Sequence, residues 1–337
     1  CVTFLRAVKH NTSLNWLAYT VSLTLSLYTC LFSIFIAIGH GIYLAILWLK
    51  QPKLPFQNYL IASLTSMLLF LPWGFVIYQN FAQLEENVAH LSQEKSNLPL
   101  FWMLNLSRSF FDFNHGASAI NLLSYAVVGM SLYALYHLCR YCKQETWLFI
   151  LTLIGITGSS LILSDLIFGG IRSTIARYPI PCYLGILIAV AYLLATQLKT
   201  SLKNQDAQWR RITIAFFAFG LLSCGISSQM EVWWNKSPFK TRHNPEIAGI
   251  INLSANPLLV SDASVERVLS LCYRLDDHVT LQLVLPQQPI RIDHHRGDIF
   301  LYQPSSKLRE AIAMKNNQQI IHTEKNWLWQ VTDNDIT

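Results

Sequence analysis

From Leu14 to Leu49 the chain runs for 36 residues without an aspartate, glutamate, lysine or arginine. As a single helix this stretch would reach roughly 54 Å at 1.5 Å per residue, against a hydrocarbon layer about 30 Å thick. Two shorter spans, near 14–28 and 31–48 and meeting at Tyr28-Thr29-Cys30, satisfy both lengths. Five further apolar windows follow near 59–79, 117–138, 147–167, 181–198 and 212–230. Each matches the roughly 20 residues that a helical crossing needs. The reading is an all-α polytopic membrane protein with about seven crossings in residues 1–230. Composition agrees, because only 13% of residues are charged, where soluble domains carry about 25%. Ten tryptophans and fourteen tyrosines suit a protein anchored at two membrane–water interfaces. The net charge of +6 lies in short loops and forms no lysine-rich stripe with interleaved aromatics, which excludes nucleic acid as a partner.

The basic residues give an orientation. Arg6, Lys9, Lys50, Lys53, Arg140, Lys143, Lys199, Lys203, Arg210 and Arg211 fall in alternate connections; Lys95, Arg108, Arg172 and Arg177 fall in the others. By the positive-inside rule the richer set is cytoplasmic, and the second set faces outward with everything after residue 231. Residues 80–116 form an outward loop. It opens on a helix-like pattern at Phe81, Leu84, Val88 and Leu91, and continues into LFWMLNLSRSFFDF (100–113), an expected interfacial helix. In residues 231–337 strand-like runs (PLLVSD, VTLQLVLP, DIFLYQP, QQIIHTE, WLWQVT) alternate with helix-like ones, which predicts a small extracytoplasmic α/β domain. The first residue is Cys1 and no signal-peptide core follows it, so the expectation is a fragment lacking its N-terminal part.

The stretch FGGIRSTIARYPIPCYLG (168–185) carries the most chemistry. Gly169-Gly170 and the prolines at 179 and 181 shape its backbone. Arg172 and Arg177 offer forked donors suited to phosphate oxygens, and Tyr178 adds a hydroxyl. The plainer alternative has both arginines anchoring span ends on bulk lipid phosphates. Asp165, near the end of its span, is expected to pair with one of them. His40, in Gly39-His40-Gly41, is an intramembrane histidine, functional by default unless it is a packing residue. Arg108, Asp112 and His115 either line an outward cavity or, for the first two, form an ion pair at i, i+4. IDHHRGD (292–298), with Asp293, His294, His295 and Asp298, lacks zinc-ligand spacing and reads as a solvated turn. Cys139 and Cys142 form an isolated CxxC without a second ligand pair.

Arg-Tyr-Pro-x-Pro opening a late span resembles the C-type glycosyltransferase superfamily. Within it the pattern is similar to bacterial relatives of the dolichyl-phosphate-mannose protein mannosyltransferases, glycosyltransferase family 39. WLAYTVSLTLSLYTCLFSIFIAIGHGIYL (16–44), FLPW (70–73) and NLSRSFFDF (105–113) are similar to segments of that branch. The resemblance implies a mannosyltransferase-like membrane enzyme of the bacterial inner membrane. Its donor would be a polyprenyl-phosphate sugar and its acceptor a protein, lipid or glycan. It implies lipid-phosphate binding by Arg177 and Tyr178, and less closely by Arg172. The catalytic aspartate is expected before Cys1, with a divalent metal, Mg or Mn, held mainly by residues there. Competing readings are a polyprenyl-linked glycan ligase or polymerase, for which His115 is the available histidine, a transporter or flippase, and a tail that acts as a binding module on a passive anchor.

Overall fold

A computed structural model describes residues 1–82, 97–114, 121–204, 207–232, 241–284, 297–316, 319–322 and 328–332. The chain divides into two compact units, Cys1–Gly225 and Ile226–Thr337.

The first unit is helical. Its elements are α1 (Val2–His10), α2 (Ser13–Thr29), α3 (Ser33–Lys50), α4 (Phe56–Gln79), α5 (Leu98–Arg108), α6 (Leu122–Tyr141), α7 (Gln144–Phe168), α8 (Ile180–Asn204) and α9 (Ala207–Ser228). Among the described residues six helices, α3, α4 and α6 to α9, are long and apolar enough to cross a membrane. The break expected at residues 28–30 separates α2 from α3, and α2, with 17 residues, packs against α4. On α4 the apolar residues Leu60, Ile61, Leu64, Leu68, Leu71 and Phe75 are exposed. An apolar face of that size suits lipid rather than water.

Hydroxyl groups within these helices donate back to carbonyls one turn earlier, as Thr24 does to Thr20, Ser131 to Val127 and Thr196 to Tyr192. In these cases the hydroxyl proton is satisfied within its own helix and is not presented to lipid. Between helices, Thr20 donates to the Ala62 carbonyl at 3.4 Å, and Ser66 to the Thr20 carbonyl at 3.1 Å. Small residues set the spacing. A Cβ on Gly39 would meet the Thr152 carbonyl of α7 at 3.4 Å, and one on Gly41 would meet the Tyr59 hydroxyl of α4 at 2.9 Å.

The first ten residues, expected to be a connector carrying Arg6 and Lys9, are instead helix α1. The cause is a buried face, since Phe4 and Ala7 are fully enclosed and Phe4 packs among Tyr19, His40, Tyr59 and Phe149. Asn11 ends the helix in the left-handed region at φ 43°, a conformation asparagine tolerates.

The second unit is α/β. A five-stranded sheet has the order β2 (Thr280–Leu283), β1 (Leu258–Ser261), β3 (Ile299–Tyr302), β5 (Leu328–Thr332), β4 (Gln319–His322). The first three strands are parallel, and β5 is antiparallel to both β3 and β4. Alternate side chains enter two cores. Leu259, Phe300 and Tyr302 pack with α10 (Asn244–Asn252) and α11 (Val265–Cys272), while Val260 and Leu301 pack with α12 (Ser306–Asn316). Tyr302 donates to Asn244 Oδ1 at 2.9 Å, and burial pushes its phenol up to about 12.

Candidate functional site

The connections of the first unit gather at two ends. At one, Lys50 Nζ lies 3.1 Å from Gln144 Oε1, and Asn58 donates to Asn11. At the other, the α2–α3 turn, α5 and the α7–α8 loop meet. Phe32 places its ring 4.5 Å from that of Tyr178, and Trp102 Nε1 donates to Ser173 Oγ at 2.8 Å.

The α7–α8 loop is built from its backbone outward. Gly169 and Gly170 have φ of 69° and 122°; Gly169, with ψ 163°, occupies a region that is essentially glycine-only. This reversal brings the amides of Arg172 and Ser173 back over the end of α7. There Asp165, whose side chain is fully buried, accepts from Arg172 N at 2.9 Å and Ser173 N at 2.6 Å. The expected pairing of Asp165 with an arginine also holds, with Arg172 Nη1 at 3.6 Å. The same nitrogen donates to the Gly169 carbonyl at 2.8 Å, so the Arg172 guanidinium is engaged by its own loop. A 3-10 turn, Arg172–Thr174, follows, and Asn105 Nδ2 grips its last carbonyl at 2.6 Å.

Arg177 is exposed. Its Nη2 lies 3.2 Å from the hydroxyl of Tyr178, and its guanidinium carbon is 5.1 Å from that ring's centre. The two polar groups form a small patch at the surface. Pro179 then starts α8 by accepting from the amides of Cys182 and Tyr183.

Directly beside this loop is an apolar groove of about 200 Å³. Trp102 and Leu106 of α5, Gly158 and Leu161 of α7, and Tyr183 and Ile186 of α8 form its walls, with Ser173 and Pro179 at the loop. Gly158 leaves room for Cys182, whose sulfur would stand 3.4 Å from an added Cβ.

The remaining candidates lie elsewhere. Arg108 Nε sits 3.8 Å from Asp112 Oδ1, as the i, i+4 alternative required, and burial lowers the guanidinium's pKa while the carboxylate opposes that shift. The Asp112 amide donates to Ser223 Oγ at 2.8 Å, tying the chain to α9. His40 is buried in the bundle, stacked on Phe4 at 4.1 Å, with Nδ1 3.3 Å from the Tyr19 hydroxyl. His115, Asp293, His294 and His295 lie outside the described residues; Asp298 takes hydrogen bonds from Ser254 and Gln330. Among the described residues no group of three or more histidine, cysteine, aspartate or glutamate side chains could hold a metal ion. Trp102 and Asn105, which clamp the loop, were not among the sequence candidates. Their one signal is a spacing of three, which puts both on one face of a helix.

No protein-family model, curated protein or solved structure matches the chain.

Proposed function

We propose that this chain is the membrane region of a glycosyltransferase that takes a sugar from a polyprenyl-phosphate carrier on the outer face of a bacterial inner membrane. The observation that supports this most is the adjacency of the exposed Arg177–Tyr178 patch and the apolar groove that begins at Ser173 and Pro179. An apolar groove beside the loop that carries this guanidinium suits a ligand with a hydrocarbon tail and an anionic head. In this reading α2 is the first of seven crossings, the arginine loop faces outward, and the tail stands on that same side.

The chemistry follows from charge. As the bond between sugar and phosphate breaks, the phosphate gains negative charge, and a donor already in place stabilises it without reorganisation. Arg177 and Tyr178 take that role. Arg172, held by Asp165 and Gly169, fixes the loop that presents them. The apolar walls of the groove keep the carrier's tail out of water.

The test is transfer from undecaprenyl phosphate bearing radiolabelled mannose or glucose, using membranes that contain the protein. Arg177→Ala should reduce label transfer about 10²-fold, the scale for losing one preorganised donor. Unchanged transfer at equal membrane abundance would refute the assignment.

A further inference from the structure

Helices α10 and α11 cover one face of the tail's sheet, with Ile247, Ile251, Val268 and Leu271 turned toward it. Their far sides are apolar as well. Ile250, Leu253, Val265, Leu269 and Tyr273 are all exposed. Leu253, which caps α10, is 88% exposed, and Tyr273, which caps α11, is 95% exposed. The last three follow one another every fourth residue, which sets them on one side of α11. The two helices lie side by side, because Asn244 Nδ2 donates to Ser270 Oγ at 2.9 Å and Asn252 Nδ2 to the Arg274 carbonyl at 3.1 Å. Their outward sides therefore form one surface.

The other face of the same sheet is built differently. There α12 turns Leu308 and Ile312 inward, and its exposed residues Ser306, Lys307 and Glu310 are polar, the pattern of a helix that meets water. Apolar residues exposed singly need no explanation, whereas a contiguous set of them marks an interaction surface.

The covalent path of the chain identifies the partner. Helix α9 has 22 residues and ends at Ser228. At 1.5 Å per residue it is about 33 Å long, enough to cross a hydrocarbon layer of about 30 Å. Just beyond its end, Glu231 forms an ion pair with Arg274, the residue after Tyr273. The backbone from Ser228 to Glu231 extends about 10 Å at most, so this pair holds the end of α11 beside the surface of the bilayer. Charge does not choose the partner, since Glu246 and Glu266 are exposed on these helices and Arg242 just before them.

We propose that the outward side of α10 and α11 docks on the bilayer that α9 spans, with Leu253, Leu269 and Tyr273 set in the headgroup layer. A ring with a hydroxyl suits that depth, and an apolar helix face enters it by about 5–10 Å. The proposal is independent of the glycosyltransferase reading and of which side of the membrane the tail occupies.

The test uses the full chain in nanodiscs of phosphatidylcholine and phosphatidylglycerol, with a fluorescent label on a single cysteine in a cysteine-free background. Labels at Leu253→Cys and Leu269→Cys should lose most of their emission when the lipid carries a doxyl group near its headgroup, and iodide in the water should barely quench them. A label at Lys307→Cys, on the α12 side, should show the reverse. Adding Leu253→Glu and Tyr273→Glu to Leu269→Cys charges an exposed surface without entering the core; it should abolish the doxyl quenching and admit iodide. Iodide quenching of all three labels alike would overturn the proposal, because the face would then stand in water. Shielding of the labels at 253 and 269 from both quenchers would overturn it as well, because protein rather than lipid would cover them. Doxyl quenching that survives the two glutamates would show that another surface holds the tail at the membrane, and the docking face would be refuted.

Discussion

Asp165→Asn tests how the arginine loop is held. In the native protein one carboxylate takes two backbone amides, at 2.9 and 2.6 Å, with its side chain wholly buried. Hydrogen bonds to a charged acceptor contribute about 1.5–3 kcal/mol each. Asparagine supplies one oxygen, now neutral, and turns an NH2 toward the second amide, so one bond is lost and the other weakened. The guanidinium of Arg172 is a quarter exposed at 3.6 Å, and such a pair adds less than about 1 kcal/mol. The sum is a loss of about 3 kcal/mol, confined to the loop. Hydrogen exchange of the protein in nanodiscs reads this directly, because local opening follows local stability. Exchange of the Arg172 and Ser173 amides should quicken about 10²-fold, while amides in the middle of α7 stay as they were. A change below about threefold at both amides would show that the carboxylate does not hold the loop, and the assignment of Arg172 as a positioning residue would fall with it.

Gly169→Ala meets open space but must adopt φ 69°, which costs about 1–3 kcal/mol; it should speed exchange across the loop and lower transfer without reducing membrane abundance. Thr174→Cys, made in a cysteine-free background, should react with a membrane-impermeant maleimide added to intact cells, whereas Gln51→Cys should react only after permeabilisation; the opposite pattern would place the arginine loop in the cytosol. In the tail, the Tyr302 phenol is raised from 10.0 to about 12, first by burial. A raised value means its contribution is complete below the unfolded value and is lost as pH rises toward the folded one. Denaturant unfolding of the tail should therefore be flat up to about pH 10 and weaken above it, and Tyr302→Phe should reduce that dependence. The same variant leaves Asn244 Oδ1 without its donor, which costs about 1–3 kcal/mol at every lower pH.

The elements that local periodicity encodes could be read from the sequence. The break between α2 and α3 followed from length alone, since 36 uncharged residues exceed one bilayer. In the tail the alternation of strand-like and helix-like runs gave β1 to β5 with the helices around them, because strand and helix patterns have different periods. Partnerships across the chain were less accessible. Asp165 was expected to meet an arginine, and it does, but its shorter contacts are to two backbone amides, groups that nearly every residue carries and that no sequence pattern marks. The Trp102–Ser173 bond joins residues 71 positions apart, a separation over which no local pattern extends. Arg172 and Arg177 both read as guanidiniums near a span end, with Arg172 the looser candidate for a lipid phosphate. The glycine reversal turns the first inward to the loop and leaves the second exposed. Helix α1 was missed because Arg6, Lys9 and His10 dominate a ten-residue window whose packing face is only Phe4, Ala7 and Val8.

Whether an anionic lipid head meets the bundle where Arg177 stands is the point on which the functional reading depends. The most direct measurement is a structure of the protein in nanodiscs with undecaprenyl phosphate mannose bound. The reading places the phosphate within hydrogen-bonding reach of the Arg177 guanidinium, about 3 Å, with the first isoprene units against Trp102, Leu161 and Tyr183. Density for that phosphate at the opposite end, beside Lys50 and Gln144, would contradict it.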